Sequence, residues 1–340
     1  MPAASVGDVR SVTMADVARE AGVSRQLVSL VLREVGYVSE EKRELVLRTA
    51  EQLGYRRNAL ATSLASRRTN SIGLAIFDLH NQVYADFADG VLDVIQPAGF
   101  QLLLSTNTRD QKSIAAAVES LIGLRADGLL LATHIPGELN LARLLAGTPT
   151  VTIGEDPDIE RVDAVHGDDR LGAYQATRHL LGQGHRDIVY IAGPPTQQNT
   201  GRSSGYAEAM AEASLPTRVV EGDATEAGGE RALLEMRRSE ALPTAVLCYN
   251  DSTAFGALSC AQRERLRVPN DLAIVGYDNT RAASYPGVDL TSIDQQARAM
   301  GAHAAELLLE RIADPARAAE KLTLAPQLIL RGSSSFYRGT

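Results

Sequence analysis

The chain has 340 residues, of which 44% are hydrophobic and 22% are charged. This length and composition predict a soluble globular protein of two or three domains, and the net charge of −8 argues against a surface that binds nucleic acid throughout. Residues 1–68, however, carry 11 Lys and Arg against 8 Asp and Glu, a net charge of +3, and the remainder carries 23 against 34, a net charge of −11. A weakly basic N-terminal region therefore precedes an acidic body.

The N-terminus and the cysteines indicate the compartment. The first dozen residues lack an apolar segment after a basic start, so we expect no signal peptide, and no apolar run reaches membrane-spanning length. Only Cys248 and Cys260 occur, too few for a disulfide framework or a cysteine metal site. We therefore predict a cytoplasmic protein without a metal or another cofactor.

The first predicted unit is a helix-turn-helix over residues 13–33. Thr13 and Asp16 have the spacing of a capping box, Gly22 permits a tight turn, and Ser24 is placed to cap a second helix. The outward face of that helix carries polar side chains that suit base edges and phosphates in a major groove, namely Arg25, Gln26, Ser29 and Arg33. An ordinary helical hairpin is the alternative.

A third helix is predicted after Val38, with Glu40 and Glu41 in its first turn and Gly54-Tyr55 at its end. With this helix in place, the segment VTMADVAREAGVSRQLVSLVL resembles the opening of the LacI family of bacterial transcription regulators. The resemblance extends over nearly the whole chain from Thr13 onward. It implies a DNA-binding headpiece over residues 1–57, in which Thr13, Ser24 and Tyr55 also contact DNA.

The resemblance also assigns a hinge to residues 58–70. The segment NALATSLA would form a helix of about two turns, too short to be stable alone in water. In the family it becomes ordered when two subunits sit on DNA, with Asn58 at its start and Leu64 wedged into the minor groove. Leu30, in the second helix, occupies a position where the family usually has a polar residue that contacts bases, so we expect a different operator preference.

Beyond residue 70, short apolar runs alternate with helical patterns, which indicates α/β lobes with doubly wound parallel sheets. Strands are predicted at residues 72–77, 101–105, 128–132, 150–153, 188–192, 218–221, 245–249, 272–275, 290–293 and 324–330. Helices are predicted near residues 87–96, 112–124, 139–145, 171–181, 205–213, 226–236, 253–265 and 297–312.

The resemblance implies that this body, residues 71–340, is a two-lobed, periplasmic-binding-protein-like core for effector binding and dimerisation. Lobe 1 is expected over about residues 71–165 and 297–323, and lobe 2 over about residues 166–296 and 324–340. Ligand-facing loops should lie at the carboxyl ends of the strands, in a cleft between the lobes.

Several polar residues follow predicted strands of the second lobe. Asp168-Asp169 invites a metal interpretation, but no further ligand lies at useful spacing, and helix capping is the better interpretation. Asn250 and Asp278 lie at strand ends, and the resemblance assigns both to the effector site together with Arg202 and Gln295. We expect Arg202 and Asp278 to share one cleft wall, to stay hydrated in the open cleft and to pair through the ligand.

The first lobe contributes Asp78, Asn81 and Tyr84 after its first strand, and the resemblance places an aromatic residue there against the ligand. Gly154 falls where several sugar-binding members have an aspartate, although Glu155 and Asp156 follow it. The chain has no Trp, so a sugar would have to stack on Tyr or Phe. A sugar or sugar derivative is expected, with nucleosides and small acids as open alternatives.

Neither a nucleophile with its base nor a cofactor fingerprint emerges from the sequence, so we predict that the chain is not an enzyme. A solute-binding protein would explain the body but not residues 13–33, and a sugar-processing enzyme would need a catalytic constellation. The sequence therefore favours a homodimeric repressor that binds a pseudo-palindromic operator in double-stranded DNA and responds to a small effector.

Overall fold

The computed structural model describes residues 12–32, 36–55, 68–106, 108, 110–136, 139–194, 200–239 and 242–335. The chain divides into two compact units, Met1–Thr69 and Asn70–Thr340. Three positions assigned to DNA contact, Arg33, Asn58 and Leu64, lie outside the described residues, as does the predicted hinge helix.

The first unit contains the predicted helix-turn-helix. Helix α1 spans Met14–Glu20, α2 spans Arg25–Leu32 and α3 spans Glu40–Gln52. The predicted capping box is confirmed, because the Asp16 amide donates to the Thr13 hydroxyl at 3.3 Å and the Thr13 amide donates to the Asp16 carboxylate at 3.0 Å. The three helices enclose a small apolar core of Val17, Ala18, Val28, Val31, Val46 and Ala50.

The second unit contains two six-stranded sheets. Its strands are β1 Ser71–Ile76, β2 Gln101–Ser105, β3 Gly128–Ala132, β4 Thr150–Ile153, β5 Asp163–Gly167, β6 Ile188–Ile191, β7 Arg218–Val220, β8 Ala245–Cys248, β9 Ala273–Tyr277, β10 Thr291–Asp294, β11 Lys321–Leu324 and β12 Gln327–Ile329. Its helices are α4 Val83–Ile95, α5 Gln111–Gly123, α6 Leu141–Leu145, α7 Asp169–Gly182, α8 Thr200–Glu212, α9 Glu226–Arg238, α10 Asp251–Arg263 and α11 Ala297–Ala313.

Each sheet belongs to one lobe, and the predicted doubly wound architecture is confirmed. The strand order is β11-β5-β4-β3-β1-β2 in lobe 1 and β12-β10-β9-β8-β6-β7 in lobe 2. Apolar clusters cover both faces of each sheet, with α4 and α11 opposite α5 and α6 in lobe 1, and α7 and α8 opposite α9 and α10 in lobe 2. The first and third strands of each sheet are parallel neighbours, and the order in which strands are added reverses between them, which leaves a crevice at their carboxyl ends.

Two predictions about strands were wrong. Strand β5 was not predicted, although its first residue, Asp163, is fully buried. The single strand expected over residues 324–330 is two strands, because Ala325-Pro326 interrupts it and β11 joins lobe 1 while β12 joins lobe 2. Strand β12 pairs antiparallel with β10 at the edge of its sheet, a place where a sheet tolerates a neighbouring proline.

Several helices begin earlier than predicted, and this changes the setting of two candidate residues. Tyr84 lies in the first turn of α4, and Arg202 lies in the first turn of α8 instead of in the preceding loop. Among the helices in the described ranges, none is long and apolar enough to cross a membrane.

Candidate functional site

The cleft between the two lobes contains a cavity of about 350 Å³ that residues of both lobes line. Most of its polar residues follow the carboxyl ends of strands, as expected for a doubly wound fold. The lining from lobe 1 includes Phe77, Asp78, Asn81, Tyr84, Phe87, Thr133, His134, Gly154 and Glu155, and that from lobe 2 includes Asp169, Arg202, Asp223, Thr225, Tyr249, Asn250 and Asp278, with Gln295 at a crossing between the lobes.

Arg202 is the centre of the lobe 2 wall. Its Nε donates to Asp169 Oδ1 at 3.2 Å, its Nη1 donates to the Tyr249 carbonyl at 2.6 Å, and its Nη2 lies 3.7 Å from Asp278 Oδ1. The guanidinium carbon is 3.7 Å from the centre of the Tyr277 ring and 4.8 Å from that of Tyr249. Two carboxylates and two aromatic faces therefore stabilise a cation at a helix start, where the dipole alone would disfavour it.

Asp278 sits beside Arg202 at the end of β9. Its Oδ1 accepts a hydrogen bond of 2.6 Å from Gln295 Nε2. Burial raises the pKa of Asp278 to about 8, although Arg202 opposes the shift. The backbone of Asp278 has a φ of 107°, a left-handed conformation that is unusual for a residue with a side chain and that aims the carboxyl inward.

Arg202 and Asp278 share one wall, as expected, but the expectation that they stay hydrated was wrong. Arg202 is 7% exposed and Asp278 is 5% exposed, and they approach each other directly. The reason is that Tyr249 and Tyr277 enclose the guanidinium, and Gln295 bonds to Asp278. The pair is thus preorganised within the protein.

Asp169 was not recognised as a site residue. Asp168 caps α7 through a 2.9 Å bond from the Leu171 amide, as predicted, but the Asp169 carboxylate faces the cleft. It accepts a 2.7 Å hydrogen bond from the Tyr277 hydroxyl in addition to the bond from Arg202. The capping interpretation therefore holds for one residue of the Asp168-Asp169 pair, and the second anchors the Arg202 cluster.

The lobe 1 wall presents aromatic and polar groups to the cavity. The ring of Tyr84 lies 6.4 Å from that of Phe77 and 5.9 Å from that of Phe87, centre to centre. Burial raises the pKa of the Tyr84 hydroxyl, which remains a neutral donor. Asp78 and Asn81 begin the turn into α4, where they accept bonds from the His80 and Val83 amides.

Asn250 is directed into lobe 2 more than into the cavity. Its Oδ1 accepts bonds from the Thr253 amide and hydroxyl at 2.9 and 2.8 Å, so it caps α10, and its Nδ2 donates to the Ala224 carbonyl at 3.0 Å. Asp251 is fully buried and accepts bonds from Thr280 and Ser292. Together they fix the loops that carry Thr225 and Asp278.

His134 and Glu155 form a further polar pair on the lobe 1 wall that sequence reasoning did not assign to the site. His134 Nδ1 lies 2.7 Å from Glu155 Oε1. Glu155 directly follows Gly154, which stands where several members of the family that the chain resembles have an aspartate. Its location just after a strand is the feature of the sequence that could have predicted its place in the site.

The described DNA-contact candidates of the helix-turn-helix fall into two groups. Arg25 and Gln26 are exposed on α2, whereas Ser29 and Leu30 are half-buried. Ser24 accepts a bond from the Leu27 amide at 3.1 Å and so caps α2, and Thr13 caps α1. Tyr55 packs against the small apolar core.

Comparisons with known proteins cover nearly the whole chain. A family model for bacterial regulatory proteins of the lacI family matches residues 13–58, and one for a periplasmic binding protein-like domain matches residues 177–334. The chain is 34% identical to the HTH-type transcriptional repressor PurR of Pasteurella multocida (strain Pm70), over 94% of this chain and 98% of that protein.

Two solved structures are also similar over their full length. The Lac repressor dimer bound to operator and the anti-inducer ONPF has a TM-score of 0.84 at 26% identity, covering 96% of this chain and 99% of that one. The complex of the transcriptional regulator CelR with cellobiose has a TM-score of 0.70 at 32% identity, covering 95% and 99%.

Proposed function

Because the chain belongs to the LacI family of bacterial regulatory proteins, it is a DNA-binding transcriptional repressor and not an enzyme, and we propose that a small effector controls its binding to DNA. The proposed effector is neutral and polar, binds between the two lobes of the core and changes the affinity for operator DNA. A sugar or sugar derivative is the effector class that suits the cleft best.

The observation that carries this proposal is the Arg202–Asp278 pair at the wall of a cavity of about 350 Å³. A planar guanidinium offers a fork of donors and the neighbouring carboxyl offers an acceptor, which match two adjacent hydroxyl groups. Small-molecule sites usually have volumes of roughly 300–1,000 Å³, so this cavity lies at the small end of that range. A monosaccharide suits a cavity of this size.

The charges around the cavity favour a neutral ligand over a small acid. Besides Asp278, whose raised pKa favours its neutral form, four carboxyl groups line it, those of Asp78, Glu155, Asp169 and Asp223. Arg202 supplies the single guanidinium among the described lining residues. Arg202 is already shared between Asp169 and Asp278. A carboxylate ligand would therefore meet more repulsion than attraction. The Tyr84 and Phe77 rings provide apolar faces on which a sugar can stack.

The residues that we propose to bind the effector provide donors, acceptors and an aromatic face from both lobes. Arg202, Asp278 and Gln295 hold hydroxyl groups, Tyr84 covers one face, and Asn250 supports the wall. The proposed set is Asp78, Asn81, Tyr84, Arg202, Asn250, Asp278 and Gln295.

On the DNA side, we propose that a homodimer binds a pseudo-palindromic operator through two headpieces, because one helix-turn-helix covers only a few base pairs. The proposed DNA contacts are Thr13, Ser24, Arg25, Gln26, Ser29, Leu30, Arg33, Tyr55, Asn58 and Leu64. Phosphate contacts by the basic members should make binding fall steeply with salt.

The experiment has two steps. Genomic fragments that the purified protein retains are recovered and footprinted, and a pseudo-palindromic footprint is expected. Fluorescence anisotropy with that operator then screens neutral sugars, nucleosides and small acids for compounds that shift operator affinity. A response to a nucleoside or an acid, with none to any sugar, would refute the proposed effector class, and an asymmetric half-site bound at full affinity by a monomer would refute the dimer.

A further inference from the structure

The His134–Glu155 pair lies on the lobe 1 wall and is separate from the Arg202 cluster. His134 follows β3 by two residues and Glu155 follows β4 by two residues, and these strands are neighbours in the sheet. Both side chains line the cavity, and both remain more than a third exposed, 38% for His134 and 40% for Glu155. The pair is therefore open to the space that the effector would occupy.

The pair is held in one geometry. Glu155 Oε2 accepts a 3.1 Å hydrogen bond from the Ile135 amide, and Oε1 lies 2.7 Å from His134 Nδ1. The Glu155 carbonyl accepts a 2.7 Å bond from the hydroxyl of Thr152, a fully buried residue. Backbone and side-chain bonds thus fix the carboxylate, and the carboxylate fixes the imidazole ring.

This geometry determines what each group offers to a ligand. When the neutral imidazole donates its Nδ1 proton to Glu155, its Nε2 carries a lone pair and accepts a hydrogen bond. A hydroxyl group can supply that bond, whereas an ionised carboxylate or phosphate cannot. Burial raises the pKa values of Tyr84 and Tyr249, and the negative charge of Glu155 adds a smaller part to each shift.

We propose that His134 and Glu155 determine the specificity of the effector cleft by accepting a hydroxyl group of a neutral sugar and excluding its phosphorylated or carboxylated counterparts. This inference rests on the proposed function of the cleft. Arg202 does not offset the exclusion, because Asp169 and Asp278 already engage it on the opposite wall. The repressor would respond to a free sugar and not to the products of its phosphorylation or oxidation.

The test measures binding by calorimetry with matched probes on the full chain. Glucose is compared with glucose 6-phosphate and glucuronate, and ribose with ribose 5-phosphate. We expect the wild type to prefer the neutral probe at least about tenfold, and Glu155→Gln to reduce this preference about tenfold because it removes the charge and keeps the shape. His134→Ala should weaken the neutral probe roughly two- to tenfold, as the loss of one hydrogen bond would.

Glu160→Gln is the matched control, because it makes the same change of charge on an exposed residue of lobe 1 that does not line the cleft. It should leave the preference unchanged, and circular dichroism verifies the fold of each variant. A preference that Glu155→Gln leaves intact, or that Glu160→Gln alters equally, would overturn the role of the pair.

The two proposals can fail separately. Neutral probes that bind to the wild type and are lost in Asp278→Ala support the cleft, and an unchanged preference in Glu155→Gln would then refute the specificity role alone. If no probe binds, or binding survives Asp278→Ala, the proposed cleft fails and the inference fails with it. A wild type that prefers an anionic probe would refute the inference directly.

Discussion

The structural role of Arg202 prepares the binding role that we propose for it. A buried guanidinium needs compensation for lost hydration, and it obtains this from Asp169, Asp278 and the Tyr249 carbonyl. The Tyr277 and Tyr249 rings keep water away. The same enclosure that makes the arginine costly to bury also holds it in a fixed orientation, so little entropy is lost when a ligand arrives.

Arg202→Ala should destabilise the core by about 3–5 kcal/mol, because it leaves two carboxyl groups buried without their cation. The free energy of unfolding, measured with urea, tests this. Arg170→Ala is the control, since Arg170 forms an exposed ion pair with Glu208 on the neighbouring helix and should matter little. Equal stability of Arg202→Ala and the wild type would mean that the cluster contributes nothing to folding.

Asp278 predicts a pH dependence of stability. Its pKa is about 8 in the folded protein against 3.8 for an ordinary Asp, because burial favours the neutral form. Since the folded pKa is raised, the contribution of Asp278 to stability is complete below about pH 3.8 and is lost as the pH rises through about 8. The free energy of unfolding, measured with urea, should therefore fall as the pH rises in the wild type, and fall less in Asp278→Asn.

Asp251 provides the check on this assignment. Burial raises its pKa to about 6, so its own contribution is lost at lower pH than that of Asp278. Any difference between the wild type and Asp278→Asn should therefore be concentrated above neutral pH. Identical pH profiles for the two proteins would show that Asp278 does not retain a proton.

The sequence predicts the candidate site residues that lie singly at the end of an element, but not those that only long-range contacts define. Asp278 and Asn250 end strands, and Arg202 precedes a glycine and a tyrosine in a pattern typical of the family. Asp169, Tyr249 and Tyr277 meet Arg202 only because α7, α8 and two strands converge. No spacing along the chain encodes that convergence.

At the scale of elements, α7 contacts the cluster through a position without a side chain. A Cβ on Gly172 would lie 2.4 Å from the Tyr277 hydroxyl, the group that donates to Asp169. Gly172→Ala should therefore push Tyr277 away from Asp169 and lower stability by about 1–3 kcal/mol, as overpacking does. Effector affinity should fall as well, because Tyr277 supports the guanidinium of Arg202.

Gly182→Ala is the matched control for this prediction, because it lies in the same helix with no atom within 4 Å of a new Cβ. Its thermal midpoint should stay level or rise slightly, since alanine favours helix. If both alanine variants behaved alike, the close approach of Gly172 to Tyr277 would have no energetic consequence.

The missed strand shows where pattern reasoning reaches its limit. Strand β5 begins with Asp163, a residue type that is usually exposed. Inside lobe 1, however, the Arg311 side chain of α11 donates two hydrogen bonds of 2.5 and 2.7 Å to the Asp163 carboxylate. A buried ion pair replaces the apolar residue that a strand pattern requires. The regular apolar strands β1, β3, β4 and β8 were predicted correctly because burial on both faces leaves a continuous apolar run.

At the scale of the core, the two lobes are joined by three short crossings. They lie between β5 and α7, between β10 and α11, and between β11 and β12. Gln296 at the second crossing has a left-handed backbone, and its side chain donates to the Ala325 carbonyl at the third crossing. The Asp168 amide at the first crossing donates to the Leu324 carbonyl, also at the third. Any change in cleft width must therefore act on these few linked residues.

Contacts across the cleft set what an effector must exchange. The Ala282 amide of lobe 2 donates to Gln82 Oε1 of lobe 1 at 3.3 Å, and Asn81 of lobe 1 and Asp278 of lobe 2 both line the cavity. A ligand in the cavity can therefore bond to both lobes. It can shift the lobes only by the difference in its affinity for the two arrangements.

Asp278→Asn should separate effector sensing from DNA binding. The substitution keeps the shape of the side chain and its bond to Gln295. Above the pKa of about 8 it replaces a charged acceptor with a neutral amide, so effector affinity measured in that pH range should fall at least about tenfold. Operator affinity without effector should stay close to that of the wild type, because the headpiece residues are unchanged. The shift in operator affinity that effector causes, typically about 1–3 kcal/mol, should disappear at effector concentrations that saturate the wild type.

Asp187→Asn is the control, since Asp187 pairs with Arg218 outside the cleft lining. Operator titrations by fluorescence anisotropy, with and without effector, measure all three proteins. Without effector, Asp278→Asn could change operator affinity as much as effector changes that of the wild type. This result would mean that Asp278 itself determines the lobe arrangement, beyond binding the ligand, and would contradict the prediction.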